Sequence, residues 1–85
     1  MGSAMSLELL KLPVVLKLRC RGRTAHYQDI KDGVFTAPIK LGKRSVAWPA
    51  SEVDAVLSAR IAGDTDAEIK TLVSSLHSAR SAALP

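Results

Sequence analysis

The sequence has a single cysteine, three aromatic residues and no apolar run that approaches the roughly 20 residues of a membrane span. Each shortage excludes something. Cys20 alone cannot close an internal disulfide and has no companion ligands at zinc spacing, so neither a disulfide framework nor a structural zinc is expected. With Tyr27, Phe35 and Trp48 as the only aromatics, the core of this 85-residue chain must be mostly Leu, Val, Ile and Ala, and it has material for one small domain. No hydrophobic region follows a basic start as in a signal peptide, so the expected compartment is the cytoplasm. Met1-Gly-Ser-Ala-Met5 reads as a cloning remnant ahead of a native start at Met5, residues 6–80 as the domain and residues 81–85 as a frayed tail. Phosphate loop, nucleophile elbow and paired carboxylates are missing as well. His26, His77 and Cys20 are scattered without ligand spacing and read as structural. The chain is expected not to be an enzyme and to need no cofactor or metal.

Acidic residues are scarce in one half only. Nine of the twelve Lys and Arg residues fall between Lys11 and Arg44, where Asp29 and Asp32 are the only acids, so this segment carries +7. Residues 1–10 carry −1 and residues 45–85 carry −2. A concentrated positive charge implies a polyanionic partner, and double-stranded DNA is the first to consider; the alternative is a basic surface that is merely solvated.

The hydrophobic pattern divides the chain into short elements. Leu9 to Leu18 is apolar apart from Lys11 and Lys17, and Pro13 suits the first turn of a helix, with Leu12, Val15 and Leu16 on one face. Gly22 marks a turn or cap. Arg23 to Asp32 reads as a second helix with a narrow inward stripe of Tyr27 and Ile30, beside Ala25 or His26, and Gly33 stops it as a C′ residue. Two short helices joined by a tight turn form the helix-turn-helix pattern. From Ala37 to Trp48 the period becomes two, around a Gly42-Lys43-Arg44 tip, which predicts a β-hairpin that must pack on the helices. Ser51-Glu52-Val53-Asp54 has the spacing of a capping box, followed by Val53, Val56, Leu57 and Ile61 on one helical face as far as Gly63. Thr65-Asp66-Ala67-Glu68 is a second box and opens a helix with the stripe Ile69, Leu72, Val73 and Leu76; Asp66 and Glu68 near its start and Arg80 near its end suit the helix dipole. The order helix, turn, helix, hairpin, helix, helix is an α-rich α+β winged helix-turn-helix.

The run from His26-Tyr27 through Gly33-Val34-Phe35, Pro38-Ile39-Lys40-Leu41-Gly42 and Trp48, followed by Glu52-Val53-Asp54-Ala55, resembles the AlpA family of phage regulators over about residues 9–62. That family's pattern has a Ser-Arg-Ser/Thr helix start with a Tyr soon after, a Gly-x-Phe-Pro turn, a Val-Lys-Leu-Gly hairpin and a Trp before the next helix. Gly22 stands here where a Ser often caps the recognition helix, Thr36 where Pro is common, and His26 and Asp29 where apolar residues are more usual. The resemblance implies a MerR-like or excisionase-like winged helix of a prophage or integrative element. Its members activate integrase genes, bias recombination towards DNA excision, or both.

Candidate contact residues follow from this frame. The second helix of a helix-turn-helix enters the major groove, so Arg23, Thr24 and Gln28 are expected at base edges, with Arg19, Arg21 and Lys31 on the phosphate backbone. Lys40, Lys43 and Arg44 on the hairpin are expected at the backbone or minor groove. The three aromatics are expected in the core or at its edge, with the Tyr27 hydroxyl still able to reach a phosphate. The function expected is sequence-specific transcriptional regulation. The competing readings are an excisionase that bends attachment-site DNA and a protein-interaction module without DNA readout, for which Asp29 and Asp32 are the sequence support. The stripe of the helix at 66–80 is expected to complete the core against Val53, Val56 and Leu57, the alternative being a surface for a homodimer or cooperative assembly on DNA.

Overall fold

The computed structural model describes residues 8–82. The remnant expected at residues 1–5 lies outside them, as do residues 83–85 of the expected tail. Seven elements follow in order: β1 (Leu9–Leu10), α1 (Leu12–Arg19), α2 (Arg23–Lys31), β2 (Ile39–Lys40), β3 (Val46–Pro49), α3 (Ala50–Ala62) and α4 (Asp66–Ala82). Helix α4 thus runs two residues past the expected end of the domain.

The strands form one antiparallel sheet in the order β1-β3-β2, with Leu10 opposite Trp48 and Ile39 opposite Ala47. The hairpin is the expected one. Strand β1 is an addition, hidden in the sequence because Leu9 and Leu10 run directly into the apolar stripe of α1. It converts β3 from a hairpin arm into a central strand. For that reason the expected alternation fails there: Ala47 and Trp48 are both buried.

Helices α1, α2 and α3 end in the same way. In each, an amide just past the last turn reaches back five positions while its predecessor closes a tighter ring: Arg21 to Leu16 and Cys20 to Lys17, Val34 to Asp29 and Gly33 to Ile30, Asp64 to Ala59 and Gly63 to Arg60. The pattern needs a left-handed residue. Gly33 and Gly63 supply it, but after α1 it is Cys20, at φ 56°. Gly22, expected to make this turn or a cap, is the N-cap of α2 at an ordinary φ of −79° and gives that helix start no side-chain bond.

The two expected capping boxes part company. Thr65 and Glu68 form theirs reciprocally, at 3.2 Å and 2.8 Å. At α3 the helix starts earlier, with Pro49 as its N-cap and no side-chain cap bond, so Ser51 is already inside the helix. Glu52 is turned inward instead and takes the Arg80 guanidinium at 2.6 and 2.8 Å.

Trp48, Phe35, Ile69, Val15, Val53 and Val56 form the centre of the core, each burial being worth about 1.5–3 kcal/mol for the larger side chains. The α4 stripe belongs to this core: Ile69 and Val73 are buried, and Leu72 and Leu76 pack on the cluster. The expected stripe of α3 holds at Val53, Val56 and Leu57 but not at Ile61, which is 87% exposed. Ala59 takes the inward place in the last turn, since positions 53, 56 and 59 or 60 follow the core-facing side and position 61 falls beyond it.

Candidate nucleic-acid interface

The two faces of α2 have separate tasks. Arg23, Thr24, Tyr27, Gln28 and Lys31 are all exposed, and their spacing places them on one outward face. His26 and Asp29 are buried and Ile30 is partly buried on the other. The inward stripe expected from the sequence is therefore rotated: His26, not Tyr27, enters the core, and Tyr27 remains at its edge, its ring 5.1 Å from that of His26.

The turn between α1 and α2 is held by an ion cluster. Arg19 donates from Nη2 to Asp29 Oδ2 at 2.7 Å, while Arg21 approaches the same carboxylate with two nitrogens, Nε at 3.0 Å and Nη2 at 2.7 Å. Arg19 also lies 4.0 Å over the Phe35 ring and donates from Nη1 to His26 Nδ1 at 2.8 Å. Because Nδ1 accepts, the proton of the neutral imidazole is on Nε2, which sits without a hydrogen-bond partner among Tyr27, Phe35 and Trp48. Burial, reinforced by the charge of Arg19, lowers the His26 pKa from 6.5 to about 4. For Asp29, burial favours the neutral acid, but the bonds from Arg21 and Arg19 and their charges outweigh it and hold the carboxyl below its ordinary value. Burial lowers the Arg19 pKa against the opposing pull of Asp29, whereas the bond to Asp29 raises that of Arg21.

This geometry sorts the candidate contact residues. Arg19 is not placed for a backbone contact: its side chain is only 6% exposed and is engaged with Asp29, His26 and Phe35. Arg21 keeps an exposed side but is clamped by Asp29. Gln28 is outward, with its amide donating to Asp32 at 2.9 Å. Lys40, Lys43 and Arg44 are exposed on β2 and the hairpin tip. The pairing of Asp29 with two arginines was not legible in the sequence, where Asp29 stands ten and eight residues from them and reads only as a departure from the basic character of the second helix.

One cleft joins the outward face of α2 to the hairpin. It has a volume of about 420 Å³ and is lined by Lys11, Pro13, Arg23, Tyr27, Arg44 and Ser45, together with Leu12 and Val46. It contains no acidic residue. Lys11, Tyr27 and Ser45 were not among the expected groove or backbone contacts, except for the hydroxyl of Tyr27; only the fold brings the β1–α1 junction alongside the hairpin. A second cleft of about 630 Å³ is lined by both signs of charge, with Arg19, Arg21, Arg60 and Lys70 beside Asp29, Asp32 and Asp66. Among the described residues no three His, Cys, Asp or Glu side chains gather in a metal-binding arrangement, and no helix is long and apolar enough to cross a membrane.

A helix-turn-helix followed by a basic hairpin, whose strands join β1 in a three-stranded sheet, defines a small winged helix-turn-helix domain. The chain belongs to the AlpA family of prophage regulatory proteins: the family model described as Prophage CP4-57 regulatory protein (AlpA) matches residues 8–61, from β1 to the end of α3. Over 54 residues the chain is 41% identical to the uncharacterized protein ORF88 of Enterobacteria phage P4, a match that covers 64% of this chain. It spans 61% of that phage protein's own length. No solved structure matches the chain.

Proposed function

We propose that the protein is a sequence-specific double-stranded DNA-binding regulator of a prophage or integrative element. The outward face of α2 reads the major groove through Arg23, Thr24 and Gln28, and the hairpin is the wing that rests on the backbone or minor groove through Lys43 and Arg44. The observation that carries this reading is the acid-free cleft in which Lys11 and Arg23 meet Arg44. A phosphate lying between recognition helix and wing would face Lys11 and Arg44, with Tyr27 beside them and Arg23 reaching past to the base edges. Arg21, with one side held by Asp29, presents the rest of its guanidinium in a fixed direction for a flanking phosphate. Arg19 is left out of the interface as a structural residue. Family membership supports the regulatory reading.

Binding-site selection from random duplex DNA tests this. A single recovered motif, with retardation lost in Arg23→Ala, is the expected result; recovery of no motif, with equal affinity for all duplexes, refutes sequence-specific regulation. Several adjacent copies on one site with a measurable bend would favour the excisionase reading over a promoter-bound regulator.

A further inference from the structure

Ala37 stands between the core and the wing, and both of its backbone groups are taken by side chains of α4. Its N–H donates to His77 Nε2 at 3.0 Å, and its carbonyl accepts from Arg80 Nη2 at 2.7 Å. The same guanidinium forks to Glu52, which is buried in the first turn of α3. Just before this point the Thr36 carbonyl accepts the Trp48 indole N–H at 2.9 Å. Just after it, Pro38 has no N–H to offer, and β2 is an edge strand of two residues paired on one side only. So short a strand cannot fix its own direction. The groups that do so lie 40 and 43 residues further along the chain, on a helix beyond the residues that the family model matches.

We propose that α4 positions the wing. His77 and Arg80 hold Ala37 as a neighbouring strand would, and so set where Lys43 and Arg44 stand relative to the recognition helix. Arg80 couples this anchor to α3 through Glu52, and the stripe of Ile69 and Val73 couples it to the core. The consequence for DNA deepens the regulatory reading and rests on it: the contribution of Arg44 to binding depends on a residue that touches neither DNA nor Arg44, whereas that of Arg23, fixed on α2, does not.

The variant of choice is His77→Ala, which removes an acceptor without uncovering the buried Glu52; His77→Gln returns an acceptor in the same place. Amide hydrogen exchange in the unbound protein reads the wing directly. In His77→Ala the Leu41 amide, bonded to the Ser45 carbonyl at 2.8 Å, is expected to exchange at least about threefold faster while the α2 amides keep their rates, and His77→Gln is expected to restore it. Binding to a random-sequence duplex at low salt reads the consequence: the effect of Arg44→Ala is expected to shrink by at least about threefold in the His77→Ala background, and the effect of Arg23→Ala to stay the same. Faster exchange confined to Ala37, or an Arg44 effect indifferent to residue 77, overturns the proposal. Failure of the wild-type chain to bind any duplex refutes the DNA reading instead, and the exchange result then decides by itself whether α4 holds the wing.

Discussion

Replacing Asp29 with Ala removes the carboxylate that neutralises Arg19 and leaves that guanidinium buried, with only the Phe35 ring and His26 Nδ1 for company. Taking one partner out of a buried ion pair costs about 3–5 kcal/mol, because the remaining charge stays desolvated. The lower end applies here: Arg21 is exposed and finds water, so the penalty falls on Arg19 alone. A domain of this size has a total stability of roughly 4–13 kcal/mol, so the loss is a large part of it. Each kcal/mol moves the midpoint of a domain this small by about 4–8 °C, which puts the drop in Tm at roughly 12–24 °C. Thermal and urea unfolding followed through the buried Trp48 give both quantities. The double variant Arg19→Leu with Asp29→Leu is expected to recover most of the loss, since an apolar pair of similar volume carries no desolvation penalty. If Asp29 instead faced a DNA groove, Asp29→Ala would leave stability within about 0.5 kcal/mol and tighten duplex binding by removing a negative charge. That pair of results would refute the ion-cluster account of the turn.

Three further outcomes follow from the same geometry. Because His26 is held neutral in the fold but not in the unfolded chain, unfolded molecules take up the extra proton between pH 6.5 and about 4; stability is expected to fall as pH drops through that window, by at most about 1.4 kcal/mol per pH unit from this group, and a pH series of urea midpoints should show the slope reduced in His26→Leu. Cys20 is exposed and left-handed at φ 56°, so Cys20→Gly is expected to raise stability by up to about 1 kcal/mol in the same assay. Thr65→Ala should cost about 1 kcal/mol through loss of the α4 cap, while Ser51→Ala, which removes no cap, should stay within about 0.5 kcal/mol; equal losses would show that the two helix starts are built alike.

The sequence was most readable where one local rule decides. Apolar spacing located α1 to α4, Gly33 and Gly63 the stops of two of them, and Thr65 with Glu68 a helix start. It was least readable where distant segments decide. Ser51 has the spacing of a cap, but Pro49, paired with Leu9 at the end of β3, is the N-cap and leaves Ser51 inside the helix. Leu9 and Leu10 look like more of α1 until β3 is beside them. The same holds at the candidate interface. The charge split pointed to the first half, where the candidate contacts Arg23, Thr24, Lys43 and Arg44 are exposed. Burial of Arg19 depends on Phe35 closing over it, and Lys11 reaches the cleft only because the sheet places β1 beside the hairpin. Charge counted along the chain treats all nine cations alike; charge placed on the fold separates a structural Arg19 from an outward Arg23.

The central claim is that recognition helix and wing form one cationic DNA face at the cleft of Arg23 and Arg44. The salt dependence of duplex affinity tests it most directly, since removing a side chain that neutralises one phosphate lowers the slope of log K against log[salt] by about 0.9. Lys11→Ala and Arg44→Ala are each expected to reduce the slope by about that amount, Arg23→Ala to weaken binding to the selected site with little change of slope, and Arg60→Ala, in the cleft of mixed charge, to leave the slope unchanged. Slopes unaffected by Lys11 and Arg44, or lowered as much by Arg60, would contradict the account.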